Sequence, residues 1–320
     1  MAGGRGLFAV AREKMRSRHL AYRTEQAYLY WMRRYVKFHG GRHPRDMGGA
    51  EAESFLSHLA VVQRVAAATQ NQALQALIFL YRNVLDQRLP GLENVTRAAQ
   101  PKRLPVVLSV EEVRSVLAQL DGTCWVLASL LYGCGLRLME AHRLRVKDVL
   151  FERGEVVVRE TKGRKDRVTV LPASVVPSLQ LHLAKLRARF EQQRRKREPG
   201  VWLPTAIARK YPSASTQWGW QWVFPADSLC DDPFGGGQVR HHQHEKILQR
   251  AVQGAVRRAG ILQPASCHTF RHCFATHLLE SGSDIRTIQE LLGHADVRST
   301  MIYTHVTAKG ALGVQSPLDR

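Results

Sequence analysis

The stretch from 267 to 304 decides how this chain builds its site. It reads Cys-His-Thr-Phe-Arg-His at 267–272, Leu-Leu-Gly-His at 291–294 and Met-Ile-Tyr-Thr at 301–304. Apolar residues recur in it at helical spacing, and a glycine interrupts the pattern at 293. This spacing predicts two helices followed by a short segment that folds back over them.

The first predicted helix carries two polar residues on one side. His268 and Arg271 are three positions apart, so they share a face of a helix with 3.6 residues per turn. The opposite face is typical of a buried surface. That face consists of Phe270, Cys273, Phe274 and His277.

The second predicted helix has a clear beginning and end. Asp284 is a suitable N-cap, and Gly293 stands where a helix C-terminus favours a left-handed residue. His294 follows that stop directly and therefore projects from a turn with a fixed direction. The apolar stripe of this helix consists of Ile285, Ile288 and Leu292.

Together these segments bring an arginine, two imidazoles and a phenol within reach of one point. A phosphate suits that combination: Arg271 can hold its oxygens, His268 and His294 can move protons, and Tyr303 can act as a nucleophile. Taken singly, each histidine is compatible with an ordinary capping or core role, and the tyrosine with a packed aromatic. The spacing of the whole set favours a site.

A second arginine follows a glycine-rich stop upstream. A buried helix is predicted to end at Gly133-Cys-Gly135, after which a tight turn presents Arg137. Glycines at such a turn let the backbone approach a ligand closely. On its own, Arg137 is also compatible with a surface position or a helix N-terminus.

A β-hairpin is predicted next, with lysines at its tip. The β-branched runs 155–159 and 167–171 flank the connection 161–166. A lysine at such a tip can reach a leaving-group oxygen. Two lysines are candidates for this role, Lys162, which precedes the glycine, and Lys165.

This order of residues resembles the tyrosine recombinase (phage-integrase) family over about residues 107–310. The resemblance implies an enzyme that cuts and rejoins DNA at specific sites through a 3′-phosphotyrosyl intermediate. It further implies that the arginines clamp the phosphodiester, the lysine protonates the leaving oxygen and the histidines assist. The implied catalytic residues are Arg137, Lys162, His268, Arg271, His294 and Tyr303.

Within the family, the chain most resembles the integron integrases. The similarity lies in an extra tryptophan-rich segment before the histidines, and in the ending Met301-Ile-Tyr-Thr-His305 with Ser316-Pro-Leu-Asp319. It implies integration and excision of gene cassettes, with folded single-stranded hairpins as sites. A phage-type or chromosome-dimer-resolving recombinase acting on duplex sites is the alternative, and a catalytically silent DNA-binding protein or a type IB topoisomerase is more distant.

The expected fold is mainly α with a small antiparallel β-sheet. Residues 1–92 read as helices only, and the resemblance implies a core-binding, SAM-like bundle that clamps DNA. A polar linker is expected at 93–106 and a catalytic tyrosine-recombinase domain at 107–320, with an inserted segment at about 190–245.

The inserted segment is aromatic, basic and rich in helix-breaking residues. Such aromatics are what single strands and extrahelical bases stack upon, although they could equally form a satellite core. The histidines at its end lack usual zinc-ligand spacing, so no metal is expected. The resemblance implies recognition of bases flipped out of a hairpin. The candidate DNA-binding residues are Trp218, Trp220, Pro233, His241 and His242.

Composition points to a polyanionic partner. Lys and Arg number 47 against 27 Asp and Glu, a net charge of +20, which self-repels unless nucleic acid is bound. The 5 cysteines are scattered and odd in number, which indicates reduced thiols in a cytosol. No phosphate-binding glycine loop and no acidic cluster for two metals are present in the sequence, so no cofactor is expected.

We therefore expect a cytoplasmic, bacterial, nucleoid-associated protein that binds DNA. No run in the sequence is apolar and long enough to predict a membrane span. The family resemblance implies that four protomers assemble on two sites. The C-terminal tail after Tyr303 has little to bury by itself and is expected to dock on a neighbouring protomer.

Overall fold

A computed structural model of the chain describes residues 6–87, 104–159 and 166–305. The chain divides into two compact units, Met1–Arg103 and Leu104–Arg320. Most of the expected linker at 93–106 lies outside the described residues. Each unit has its own hydrophobic core.

The first unit is entirely helical in its described part. Its core is dense in aromatic residues: Tyr35 and Tyr81 are both buried, and their hydroxyl oxygens lie 2.8 Å apart in a hydrogen bond. The helices are α1 (Leu7–Ser17), α2 (Tyr22–Phe38), α3 (Gly49–Val61) and α4 (Ala67–Phe79), and a π-helical turn at Leu80–Leu85 follows.

Two helix starts in this unit differ from the sequence pattern. Thr24 and Thr69 look like N-caps, yet α2 begins at Tyr22 and α4 at Ala67. In α2, the first-turn carboxylate of Glu25 is buried and takes a hydrogen bond from Arg16 Nε at 2.9 Å. An ion pair to the preceding helix therefore stabilises this start, where a local side-chain cap was expected.

The second unit is also mainly helical, with a small sheet beside the helices. The strongly apolar α6 lies at its centre, and α11 packs along it. The sequence-predicted capping box of Ser109 and Glu112 is formed at the start of α5. The helices are α5 (Val110–Leu117), α6 (Gly122–Gly133), α7 (Leu138–His142), α8 (Val176–Arg195), α9 (Thr205–Lys210), α10 (Glu245–Arg258), α11 (Cys267–Glu280), α12 (Ile285–Leu292) and α13 (Arg298–Met301).

The sheet has the antiparallel order β1-β2-β3. The predicted hairpin is present, with Val158 opposite Arg167 at the end that adjoins the connection. The connection that carries Lys162 and Lys165 lies outside the described residues. The strands are β1 (Val149–Leu150), β2 (Glu155–Val158) and β3 (Arg167–Val170), and a separate pair in the inserted segment consists of β4 (Cys230–Asp231) and β5 (Gln238–Val239).

The inserted segment has a small core of its own. Short turns and α9 surround a cluster in which Trp202 and Trp220 pack against buried residues. The buried members of that cluster are Val201, Leu203, Ala214 and Trp222. The alternative of a satellite core is therefore correct for part of the tryptophans, because Trp222 is only 3% exposed.

One apolar residue departs from its predicted environment. The apolar spacing within 246–259 predicts Ile247 on the buried side of a helix. In α10, however, Ile247 is 48% exposed, whereas Leu248 and Val252 are buried. In the described part of the chain, no helix combines the length and the apolar character that crossing a membrane requires.

The glycine stop before Arg137 is required by close packing. Gly135 has φ +62°, and a Cβ there would lie 2.4 Å from Cδ1 of Phe274. A Cβ at Gly133 would lie 2.2 Å from Cγ of Pro172. The predicted reason for these glycines was the approach of a ligand, but their immediate neighbours are side chains of the protein.

Replacing Gly135 with Ala should therefore destabilise the second unit more than replacing Gly154, whose φ is also +62° but whose Cβ would meet nothing within 4 Å. The shared backbone strain costs about 1 kcal/mol, and overpacking at Gly135 adds about 1–3 kcal/mol. Urea unfolding of both variants measures this difference. Equal losses in the free energy of unfolding would show that Phe274 moves away from the added methyl group at little cost.

Candidate active site

Arg137 is positioned by the first turn of α7. It is the residue before that helix, and its backbone N–H donates to Glu140 Oε2 at 2.8 Å. Its guanidinium returns to the same carboxylate, with Nη1 2.7 Å from Oε1, while Nη2 donates to the carbonyl of Gly293 at 3.4 Å. The side chain remains 30% exposed, so it can still meet a ligand.

Arg271 is buried beneath the same site, at 1% exposure. Its Nη1 donates to the carbonyl of Gly135 at 2.5 Å and its Nη2 to the carbonyl of Leu292 at 2.6 Å. Burial and the charge of Arg137 lower the pKa of Arg271 to about 9. The group therefore keeps its positive charge at neutral pH.

Glu140 connects the arginines of the site. Its carboxylate also accepts from Arg167, with Nη1 3.0 Å from Oε1 and Nη2 2.7 Å from Oε2, and Arg271 Nη1 lies 3.8 Å away. Burial alone would raise the pKa of Glu140, but Arg167 and Arg137 lower it to about 2. Three guanidinium groups around one carboxylate leave an excess of positive charge, which favours an anionic ligand.

His294 follows the predicted glycine stop. Gly293 has φ +63°, and Asp284 caps the start of α12 as expected. His294 Nε2 lies 3.1 Å from Arg271 Nη2, and Nδ1 lies 2.9 Å from Thr300 Oγ1. Because an arginine can only donate, Nε2 accepts and Nδ1 carries the proton. Burial and Arg271 lower the pKa of His294 to about 4, so the ring is neutral at pH 7.

Tyr303 lies in a 3₁₀ turn at Ile302–His305 and is only 2% exposed. Its ring stacks on His294 with centroids 6.4 Å apart, and its hydroxyl lies 3.1 Å from Nδ1 of His272. Burial raises the pKa of Tyr303, while the nearby Arg271 and Arg137 act in the opposite direction. The phenol is therefore protonated in this arrangement and next to a possible base.

His272 is the contact that the sequence reasoning missed. Burial and the neighbouring His268 lower its pKa to about 4, so its ring can accept a proton at neutral pH. His268 lies in the first turn of α11, and its ring centroid is 4.4 Å from that of His272. The four-residue spacing of the two histidines on one helix was the signal that could have found this contact.

The described members of the predicted catalytic set thus converge. Arg271 contacts His294, Arg137 reaches the turn before His294, and Tyr303 stacks on His294. His268 reaches Tyr303 only through the ring of His272. Arg167 and Thr300 are additional partners that no periodic pattern indicates. Lys162 and its competitor Lys165 belong to the undescribed connection.

The five predicted DNA-binding residues do not form one cluster. The ring of His241 lies next to those of Trp202 and Trp222, with centroid distances of 5.6 and 5.7 Å and the rings tilted by 39° and 37°. His242 is buried against Trp222 at 5.5 Å, and its ring lies 4.2 Å from that of His241. Burial and the neighbouring His242 lower the pKa of His241 to about 4.

The remaining candidates have other neighbours. Trp220 packs on the satellite core, and the Lys147 ammonium lies 2.9 Å from its ring centroid. Trp218 packs instead on α8, where its centroid lies 5.4 Å from that of Phe190. Pro233 is exposed in the connection between β4 and β5.

Comparison with known proteins gives matches over nearly the whole chain. The model of the phage integrase family matches residues 107–309, and the model of the phage integrase N-terminal SAM-like domain matches residues 7–91. An integrase/recombinase of Escherichia coli is 49% identical over 308 residues, covering 96% of this chain and 91% of its own.

Other relatives are more distant. Tyrosine recombinase XerA of Thermococcus kodakarensis is 32% identical over 290 residues, covering 89% of this chain and 86% of its own. The crystal structure of XerH site-specific recombinase bound to palindromic difH substrate matches with a TM-score of 0.60 at 19% identity. It covers 95% of this chain and 82% of the XerH chain, and at this identity it shows the fold alone. The chain belongs to the phage integrase family and is a site-specific tyrosine recombinase that cleaves and rejoins DNA.

Proposed function

We propose that this recombinase is of the integron-integrase type and that it integrates and excises gene cassettes at folded single-stranded hairpin sites. Two features support this proposal. One is the positively charged site beside a buried tyrosine, and the other is the inserted segment in which neutral histidines lie among tryptophans. The first feature concerns the chemistry, and the second concerns the DNA that is recognised.

The observation that carries the chemistry is the excess of guanidinium groups around Glu140, next to the phenol of Tyr303. In the proposed reaction, Arg137 and Arg271 bind the non-bridging oxygens of one DNA phosphodiester and stabilise the charge of the five-coordinate transition state. The oxygen of Tyr303 attacks phosphorus, and the bond from phosphorus to the 5′-oxygen breaks. Lys162 protonates the departing oxygen, which leaves as a 5′-hydroxyl.

Proton transfer at the tyrosine involves the two histidines of α11. The phenolic proton passes to His272, the ring within hydrogen-bond distance, and His268 assists from beside it. Once the phosphate has taken over the contact with Arg271, the ring proton of His294 moves from Nδ1 to Nε2, and Nε2 donates a hydrogen bond to the phosphate while the Thr300 hydroxyl donates to Nδ1. Because one ester replaces another, attack by the 5′-hydroxyl of a second strand reverses the reaction without a nucleotide.

The assembly around this chemistry follows the same proposal. Four protomers act together on two recombination sites. They are bound to DNA in the bacterial cytoplasm and are associated with the nucleoid. The catalytic domain of each protomer spans 107–320 and includes the inserted segment at about 190–245. A net charge of +20 supports extensive contact with phosphates. We further propose that Trp218, Trp220, Pro233, His241 and His242 contact extrahelical bases.

A phage-type or chromosome-dimer-resolving activity on duplex sites is the second candidate. It is favoured by the similarity to tyrosine recombinase XerA, at 32% identity. The two candidates share the phosphotyrosyl chemistry and differ in the DNA that is bound. Binding to the two folded single strands of a site, compared with binding to its duplex, separates them.

Changing Tyr303 to Phe should abolish the covalent protein–DNA adduct on nicked site DNA, because the attacking oxygen is lost while the ring remains. Denaturing gel electrophoresis measures the adduct. Tyr132→Phe is the matched control, since Tyr132 belongs to the same unit and its hydroxyl bonds only to Nδ1 of His277 in the described contacts. An adduct formed by Tyr303→Phe would exclude Tyr303 as the nucleophile.

Changing His272 to Asn should slow single-turnover cleavage by about 10²-fold or more, because the amide cannot accept the phenolic proton. His268→Asn should cost less. Since the pKa of His272 is about 4, the wild-type rate should hold as pH falls from 7 and drop as pH approaches 4. As pH falls, His272 of the unfolded chain is protonated near its usual pKa of 6.5, before His272 of the folded chain, so the free energy of unfolding also decreases. The fraction of folded protein is therefore measured at each pH. A larger loss of cleavage rate for His268→Asn than for His272→Asn would show that His268 is the base.

Changing His241 to Ala should weaken binding to a hairpin with extrahelical bases by about tenfold, the loss expected for one stacking contact. Binding to the matching duplex should be unchanged. His244→Ala is the control, because His244 lies in the same segment with a side chain that is 63% exposed. Fluorescence anisotropy measures both affinities. An equal loss on hairpin and duplex would contradict a role in base recognition.

A further inference from the structure

Arg167 is a buried arginine that none of the proposed chemical steps uses. It is the first residue of β3, and its side chain is only 7% exposed. All three of its side-chain nitrogens donate inside the protein: Nη1 and Nη2 to Glu140, and Nε to the carbonyl of Leu291 at 2.8 Å. Arg167 is therefore directed at protein groups and is not arranged to bind a phosphate itself.

Through Glu140, Arg167 is connected to the first catalytic arginine. Nη1 and Nη2 of Arg167 each donate to one carboxylate oxygen of Glu140, at 3.0 and 2.7 Å, and this two-pronged contact fixes both oxygens. Those oxygens in turn accept from the backbone N–H and from Nη1 of Arg137. A bidentate arginine–carboxylate pair has a defined plane, so the orientation of Glu140 limits the direction of Arg137.

Through Leu291, Arg167 is connected to the turn that presents His294. Leu291 lies in the last turn of α12, two residues before the glycine stop at Gly293. A Cβ at Gly293 would lie 2.8 Å from Cδ of Arg167, so the aliphatic part of the arginine packs against this turn. The direction of His294 thus depends on the same side chain as that of Arg137.

Stability alone is a weak reason for such an arrangement. Buried ion pairs can often be replaced by apolar residues of similar volume without loss of stability, because desolvation offsets much of the attraction. What apolar residues cannot supply is a fixed geometry among three elements. Here β3, α7 and the end of α12 meet at one guanidinium. Both helices adjoin a proposed catalytic group, because Arg137 lies directly before α7 and His294 follows the glycine stop of α12.

We propose that Arg167 is a positioning residue for DNA cleavage, which holds Arg137 in direction through Glu140 and holds the His294 turn through Leu291. The inference rests on the proposed roles of Arg137 and His294. Arg167→Lys keeps the positive charge but loses the two-pronged contact, so the charge of the site is retained while its geometry is relaxed.

The test compares two nicked substrates in single turnover. One has an ordinary scissile phosphodiester, and the other has a methylphosphonate there, in which a methyl group replaces one charged oxygen. Arg167→Lys should cleave the ordinary substrate about 10²-fold more slowly than wild type, as expected for a misplaced catalytic group. On the methylphosphonate its loss should be much smaller, because there is less charge for Arg137 to neutralise. Affinity for the site DNA should be unchanged.

Arg159→Lys is the matched control. Arg159 follows β2 directly and flanks the same hairpin connection. Its Nε lies 2.6 Å from Oδ1 of the buried Asp148 and its Nη1 lies 3.3 Å from Oδ2 of Asp166, and none of its described contacts is with Glu140. Its rate on both substrates should be close to that of wild type. Thermal unfolding of each variant shows whether the second unit is folded at the assay temperature.

The outcomes separate this inference from the proposed function. Absence of a wild-type adduct on the ordinary substrate contradicts the proposed function. With a wild-type adduct, an unchanged rate for Arg167→Lys, or an equal loss on both substrates, overturns the positioning role. If Arg167→Lys does not fold, Arg167→Gln is measured in the same way, and failure of both to fold makes Arg167 a residue of stability only.

Discussion

The site depends on one buried carboxylate surrounded by guanidinium groups. Glu140 holds Arg137 and Arg167 directly and lies 3.8 Å from Arg271. Arg271 receives its remaining compensation from the carbonyls of Gly135 and Leu292, which lie where α6 and α12 end. Carbonyls at helix C-terminal ends carry partial negative charge, so the glycine stops supply the acceptors that make a buried arginine tolerable.

The same arrangement leaves the site incompletely neutralised, and this has a chemical consequence. His272 and His294 both have a pKa of about 4, because burial and neighbouring cations disfavour their charged forms. Neutral imidazoles can accept a proton or a hydrogen bond, whereas protonated ones would add to the repulsion among the arginines. A phosphate would relieve that repulsion, so the charge that lowers the histidine pKa values is also the charge that attracts the substrate.

Local patterns in the sequence predicted those features that local contacts determine. The cap at Asp284, the stop at Gly293 and the capping box at Ser109 each involve residues within a few positions of one another. Glu140 and Arg167 are 27 positions apart, and Arg271 and Gly135 are 136 apart. No helical or strand period encodes such pairs. Arg271 was accordingly placed with His268 on the polar face of its helix, although its side chain is fully buried.

Charge and base recognition place different demands on this chain. A surplus of 20 positive charges accounts for binding to any DNA, because phosphate contacts carry no sequence information. Stacking on an extrahelical base requires a flat surface, which aromatic rings provide. In the proposed function one such surface is the ring of His241, which has a pKa of about 4 and lies next to Trp202 and Trp222. Arg145 holds the backbone beside this ring by donating to the carbonyls of Trp202 and Trp220. In the inserted segment, therefore, a cation supports the aromatic surface, and in the proposed function the base contact falls to the rings of that surface.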